Sequence, residues 1–470
     1  MLMPFWHNEV DPDRPAVYWN GEQRFTYREL ISRVESVTAR LPVRGHGCSL
    51  CLLSNHPEAL VWLIALLSSK LSVLLVNPDL PDEALESLRT AYVPELQIRM
   101  EGDEVVDTRI AGYGDRIAPS QPASKLLLST SGSTGSPKYV RLGQDALLAN
   151  AGAIASALSI GPDDVAASHL AWHYSYGFSV LSSHLVRGAA ISMGKGGFTD
   201  RSFWGWMRES GVTHLPAVPI QFDMLARLDL YRVLPATVRS LSQAGGPLPA
   251  IRRREAAQVM TARGGRFYVM YGQTEAAPRM TTLAPEQFDR HEDSVGQALT
   301  GGRLEILDDR DEPLPAGQVG RVVYHGPNVM LGYALSRSDL ALGDECGGRL
   351  ETGDLGWLDE HGFLTLTGRQ ARSIKVFGLR VDLDRLESAL APVCTYRALE
   401  LGGRICLITS VDEALPGTVD SPGRVPAEVL ERLKEVTTLP HGATVHRVVD
   451  ALPVTSSGKP DYHRLRELIS

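Results

Sequence analysis

The apolar positions of this chain change spacing several times, and each change predicts an element. Residues 27–41 place their apolar side chains at helical intervals, and Thr26 supplies an oxygen suited to capping the first turn. Continuous apolar runs at 50–53 and 73–76 predict buried strands, and the longer run 59–67 between them predicts a buried helix. Further strands are expected at 165–170, 189–193, 214–217 and 267–270, with helices at 146–158 and 251–263. This alternation predicts an α/β fold, a large N-terminal domain of largely parallel sheet covered by helices. From Gly302 the runs shorten between tight turns, as at 304–307 and 319–325, and predict a β-rich subdomain. A last change near Gly368-Arg369 sets off a small C-terminal α+β domain with strands and helices of its own. The expected domains are therefore 1–368 and 369–470.

Composition narrows the function. A net charge of -8 provides no basic field for a polyanion, so no nucleic-acid partner is expected. The 59–67 run is broken by Ser68, Ser69 and Lys70 and is too short for a membrane span. Residues 1–13 lack the basic start and apolar core of a signal peptide, so a cytoplasmic location is expected. Five cysteines at irregular spacing argue against a disulfide framework. Cys48 and Cys51 have CxxC spacing but no second pair, and they open an apolar run, where they read as small core residues.

The chemistry concentrates first in the segment Ser129-Thr130-Ser131-Gly132-Ser133-Thr134-Gly135-Ser136-Pro137-Lys138, entered from the apolar run 126–128. Small residues let a backbone turn several N–H groups toward an anion, hydroxyls add donors, and Lys138 adds a mobile positive charge. The glycine spacing and Tyr139 after the lysine are not those of a Walker A loop.

This loop resembles the phosphate motif of the acyl-adenylate-forming superfamily: acyl- and aryl-CoA synthetases, peptide-synthetase adenylation domains and firefly-type luciferases. Further motifs follow in the family order. They are Gln243-Ala244-Gly245-Gly246-Pro247-Leu248, Tyr271-Gly272-Gln273-Thr274-Glu275, a Gly-Tyr segment ending at Gly332-Tyr333, Thr352-Gly353-Asp354-Leu355, Gly368-Arg369, Ile374-Lys375-Val376-Phe377-Gly378 and Ser457-Gly458-Lys459. The resemblance spans about residue 26 to 459, nearly the whole chain.

It implies activation of a carboxylic acid as acyl-AMP, then transfer to a thiol of CoA or of a carrier protein's phosphopantetheine. ATP would be held by Thr130, Ser131, Gly132, Ser133, Thr134, Gly135 and Lys138 at its phosphates. Gly245, Gly246, Tyr271, Gly272, Gln273 and Thr274 would line the adenine, and Asp354 and Arg369 the ribose. Glu275, with Thr134, would hold Mg²⁺, a hard cation that prefers oxygen ligands. Lys459 would bridge the carboxylate and the α-phosphate. A mobile C-terminal domain would then turn about the hinge and bring in Lys375 and Gly378, the latter beside the thiol tunnel. An amide synthetase and a non-catalytic nucleotide-binding relative are the other readings; retention of Lys459, Glu275 and Asp354 argues against the second.

The stretch Trp172-His173-Tyr174-Ser175-Tyr176-Gly177-Phe178 corresponds to the acid pocket. Amino-acid-activating members carry an Asp where this chain has Ser175, and a hydroxyl cannot neutralise an ammonium. Hydrophobic or aromatic carboxylic acids are therefore expected rather than α-amino acids. Tyr174, Ser175, Tyr176, Gly177 and Met270 are the pocket candidates; Val269 reads equally well as core. A carboxylate is already ionised at neutral pH, so His173 is read as structural rather than as a base. The chain departs from the family in Tyr139, which either narrows the loop or packs on the sheet, in Ala371 beside Arg372 at the hinge, and in Glu351.

Overall fold

The computed structural model describes residues 10–41, 47–109, 124–130, 138–376, 379–415, 425–436, 442–455 and 460–469. The chain divides into two compact units, Met1–Leu304 with Tyr324–Leu350, and Glu305–Val323 with Glu351–Ser470.

The larger unit is built on two sheets. One runs in the order Gly332–Ala334, Tyr139–Leu142, Leu126–Ser129, Ser72–Val76, Cys48–Leu52, Leu96–Glu101, Glu104–Arg109. The strands Cys48–Leu52 and Ser72–Val76 pair in parallel and are buried at every position, as strands covered on both faces must be. Cys48 and Cys51 are free and buried here, and burial pushes the Cys51 thiol up to about 12, so both serve as small core residues. The other sheet runs Gln297–Ala298, Arg279–Leu283, Arg266–Gly272, Ser240–Gln243, His214–Ala217, Val165–Ala167, Ala190–Met193, Pro15–Trp19, Glu22–Thr26.

Helix formation follows the apolar spacing. In Tyr27–Arg40 the buried residues Tyr27, Leu30, Val34 and Val37 form one stripe. Thr26 and Glu29 close a reciprocal capping box, with Thr26 N–H donating to Glu29 Oε2 at 2.8 Å and Glu29 N–H to Thr26 Oγ1 at 3.3 Å. Pro57–Ser68 is buried almost throughout, and Ser175–Leu185 is buried at every position. In the latter, Ser179 and Ser183 return their hydroxyls to the Tyr176 and Val180 carbonyls, which lets polar side chains sit in the core. A common core takes Val73 and Leu75 from one sheet and Ile191 and Met193 from the other.

Two local differences from the sequence expectation have physical causes. The strand expected over 165–170 stops at Ala167, because Asn55 Nδ2 takes the Ser168 and Leu170 carbonyls at 2.9 and 2.8 Å. The hairpin of Pro15–Trp19 and Glu22–Thr26 was not expected, although Asn20-Gly21 at its tip, both at positive φ, is a strong hairpin signal.

The smaller unit carries most of a four-stranded sheet, in the order Arg303–Leu307, Gly320–His325, Arg349–Leu358, Leu364–Arg369. It continues into the antiparallel pair Ser373–Val376 and Leu379–Asp382, and a sheet of Arg397–Leu401, Arg404–Ser410 and Thr444–Val449. Helices Leu383–Leu390 and Ala427–Val436 supply Leu386, Leu390, Val429 and Leu433 to a core shared with Ile405 and Leu407. Among the described residues no helix is long and apolar enough to cross a membrane.

Candidate active site

The serine- and glycine-rich loop joins two antiparallel strands, Leu126–Ser129 and Tyr139–Leu142, with Ser129 opposite Tyr139. Thr130 and Lys138 stand at its ends; Ser131, Gly132, Ser133, Thr134 and Gly135 lie outside the described residues. Tyr139 is buried against the Tyr92 ring, at 5.9 Å between centroids, so it packs on the sheet. The strand Gly332–Ala334 lies antiparallel beside Tyr139–Leu142, with Tyr333 opposite Val140. Side chains two apart share a strand face, so Lys138 and Tyr333 become diagonal neighbours. Lys138 Nζ sits 3.8 Å from the centre of the Tyr333 ring, a cation–π contact.

Tyr333 also reaches the Tyr-Gly-x-Thr-Glu segment: its hydroxyl donates to Glu275 Oε1 at 3.0 Å. Burial and the Glu275 carboxylate push the phenol well above its ordinary range, so the hydroxyl keeps its proton and donates. The Met330 N–H holds the Glu275 carbonyl at 2.8 Å, fixing the carboxylate's base. Among the described residues no three His, Cys, Asp or Glu side chains converge. A single carboxylate suits a magnesium ion held mainly by phosphate oxygens and water. Tyr333 had no assigned role in the sequence; its place in the Gly-Tyr segment was the available signal.

The stretch 172–178 adjoins this array. Ser175 Oγ lies 3.0 Å from Thr274 Oγ1, so the helix start at Ser175 is bonded to the segment bearing Glu275. Tyr174 lies beside Gly245, where an added Cβ would come within 2.3 Å of the phenol oxygen, so that glycine is what admits the ring. Gly177 has a packing cause, since a Cβ there would lie 2.2 Å from the Ala171 carbonyl oxygen. Met270 and Val269 are both buried, and Met270 joins the common core. Burial lowers the His173 imidazole to about 4, too weak a base to hold a proton at neutral pH.

Tyr176 is held from behind by a chain of hydrogen bonds. The Val180 carbonyl can only accept, so His184 Nδ1, 2.8 Å away, carries the proton and His184 Nε2 accepts. His214 Nδ1 therefore donates to it at 3.1 Å, and His214 Nε2 accepts from the Ser242 hydroxyl at 2.8 Å. The Tyr176 hydroxyl donates to the Ser242 carbonyl at 2.9 Å. Burial lowers both imidazoles, His184 to about 4, which keeps the chain neutral. In front, the Arg279 guanidinium lies 3.9 Å from the centre of the Tyr176 ring. Sequence reading passed over Arg279, His184 and His214.

In the smaller unit, Asp354 and Arg369 are cross-strand partners, and Arg369 Nε donates to Asp354 Oδ1 at 2.9 Å. Asp354 is buried, and Thr352 Oγ1 accepts its N–H at 3.1 Å while donating to the Val322 carbonyl at 2.7 Å. Arg372 pairs with Asp384 and Glu387 and lies 3.8 Å from the Tyr462 ring centre. Tyr462 in turn donates to Glu387 Oε2 at 2.8 Å. Lys375 lies on the strand Ser373–Val376, opposite Arg380; its side chain, Gly378 and Lys459 lie outside the described residues.

The AMP-binding enzyme family matches residues 115–334. A 2-succinylbenzoate–CoA ligase of Bacillus pumilus (strain SAFR-032) is 27% identical, across 99% of this chain and 98% of its own. A sulfoacetate–CoA ligase of Cupriavidus necator is 33% identical, across 75% of this chain and 70% of its own. The structure of an o-succinylbenzoate CoA synthetase from Bacillus subtilis, with its acyl-adenylate intermediate, shares the fold at a TM-score of 0.77, covering 97% and 96% of the two chains at 22% identity. This chain belongs to the AMP-binding enzyme family.

Proposed function

We propose that the protein activates a carboxylic acid with ATP and passes the acyl group to the thiol of CoA. A carboxylate oxygen attacks the α-phosphorus, and the bond to pyrophosphate breaks. The thiol sulfur then attacks the acyl carbon, the thiol proton is lost and AMP leaves. The observation that supports this is the array Lys138–Tyr333–Glu275, in which the cation read as a phosphate ligand and the carboxylate read as a metal ligand meet on one tyrosine. Both the carboxylate and ATP are anionic, so such an array lowers the repulsion between them.

Thr130, Ser131, Ser133, Thr134 and Lys138 would hold the phosphates, and Glu275 with Thr134 the Mg²⁺, which offsets charge on the departing pyrophosphate. Tyr271 and Gly245-Gly246 would flank the adenine. The Asp354–Arg369 pair supports the ribose role, because the guanidinium holds the carboxylate ionised and oriented as an acceptor. Lys459 would bridge the two reacting anions. The division at 368/369 is read as the hinge between half-reactions. Arg372, bound to Asp384, Glu387 and the Tyr462 ring, would travel with the C-terminal part. Ser175, engaged with Thr274, offers no charge for an α-ammonium, so free amino acids are disfavoured as substrates. The acids named for the relatives, 2-succinylbenzoate and sulfoacetate, differ widely in size, so the acid must be read from this pocket. The enzyme is read as cytoplasmic.

The test is pyrophosphate release with purified protein, Mg-ATP and a panel of carboxylic acids, with and without CoA. Acid-dependent release with an acyl-CoA product is expected. Release without any CoA effect would transfer the second step to a carrier protein's phosphopantetheine. No release with any acid would refute adenylation. Lys459→Ala is expected to abolish acyl-AMP formation and spare thioester formation from supplied acyl-AMP; equal loss of both would refute the role of Lys459.

A further inference from the structure

Arg279 begins the strand Arg279–Leu283 and stands opposite Gly272 of the Tyr-Gly-x-Thr-Glu segment. It is 3% exposed, and among the described residues its Nε and Nη2 have no hydrogen-bond partner. Its charge is faced by the phenols of Tyr174 and Tyr176, both kept protonated by burial, and it forms no ion pair with any described carboxylate. A guanidinium does not escape by losing its proton. Burying one unpaired is costly, and that cost falls when an anion arrives.

The two vacant donors define the anion. Nε–H and the adjacent Nη2–H lie on one edge of the guanidinium and point in parallel, the pair a carboxylate accepts in bidentate fashion. Tyr176 is clamped through Ser242, His214 and His184, so the ring beneath Arg279 is fixed before any ligand binds. The Tyr174 phenol, which lies against Gly245, also bears electrostatically on Arg279. We propose that Arg279 receives a second anionic group of the acid substrate, a carboxylate or sulfonate distinct from the carboxylate that is adenylated. This rests on the adenylation reading above and narrows its substrate class from hydrophobic or aromatic acids to acids with a distal anion.

The test uses the intact enzyme in acid-dependent ATP–pyrophosphate exchange, with aliphatic and aromatic dicarboxylic acids each set against its own monoamide. Each pair keeps shape and removes one charge. The expected result is a kcat/KM at least ~30-fold higher for a dicarboxylate than for its monoamide, the order of effect that loss of a charge-assisted bond produces. Arg279→Gln should erase that difference through KM for the acid and leave KM for ATP unchanged. Arg279→Lys should restore part of it. Equal or better exchange with the monoamides overturns the proposal, and this arm needs only wild-type protein, whatever the folding of the variants. So does an Arg279→Gln enzyme that loses both members of a pair equally, which would assign Arg279 to the reacting carboxylate. No exchange with any acid overturns the adenylation reading and this inference with it.

Discussion

Arg141 and Arg279 both lie in the larger unit, and both are buried, at 0% and 3% exposure. Around Arg141 every arm of the guanidinium is engaged. Nε donates to the Tyr333 carbonyl at 3.1 Å, Nη1 to the Leu342 carbonyl at 2.6 Å and Nη2 to the Leu331 carbonyl at 3.0 Å, and the Glu345 carboxylate balances the charge. Around Arg279 there are two phenols, and two donors have no partner among the described residues. Burial alone therefore does not mark a charged residue as structural. Arg141 ties the 331–345 segment to the strand Tyr139–Leu142, whereas Arg279 keeps two donors without a partner among the described residues.

That contrast can be broken by substitution. Arg141→Met should be the most damaging, with a loss of about 3–5 kcal/mol, because it removes the donors to the Tyr333, Leu342 and Gly343 carbonyls together. Urea unfolding would measure it. A change under 1 kcal/mol would mean that Arg141 is dispensable and the comparison empty. The clamp behind Tyr176 comes next. Above pH 6.5 both folded and unfolded His184 are neutral, so its contribution to stability is complete. As pH falls, the unfolded chain takes a proton that the folded chain declines until about 4. Stability should therefore fall on the order of 3 kcal/mol through His184 between pH 6.5 and 4, with His214 adding to the same slope. A flat urea midpoint across that window would contradict a neutral clamp.

Tyr333→Phe keeps the ring under Lys138 and removes the bond to Glu275. We expect about a tenfold loss in kcat/KM for pyrophosphate exchange, near 1.4 kcal/mol, with Mg²⁺ saturation moved to higher concentration. An unchanged Mg²⁺ dependence would detach Tyr333 from the metal site. The smallest expected effect carries the opposite sign from the first. Arg279→Met should leave stability unchanged or raise it by about 1 kcal/mol, since it removes a buried charge without a counter-ion. Destabilisation as large as that of Arg141→Met would erase the distinction between the two arginines.

The sequence made one part of this legible. Motifs contiguous in the chain, such as Tyr271 to Glu275 or Thr352 to Leu355, could be read directly, and the apolar runs located core strands such as Cys48–Leu52 and Ser72–Val76 and helices such as Tyr27–Arg40 and Pro57–Ser68. What escaped depends on register between distant segments. Tyr333 meets Lys138 only because strand Gly332–Ala334 pairs with Tyr139–Leu142. Arg279 faces Tyr176 only because the strand that it starts folds back on Arg266–Gly272. Nothing in the sequence set His184 and His214 apart, and their tautomers follow only from which acceptor each ring nitrogen meets.

The ends of the larger unit's wider sheet have a consequence of another kind. At one edge the hairpin strand Glu22–Thr26 presents Glu22, Gln23 and Arg24 exposed, and at the other the strand Gln297–Ala298 is only two residues long. A charged margin and a very short one give a second chain little backbone on which to add a strand. Crowded copies of this protein are thereby kept from templating one another into aggregates through that sheet.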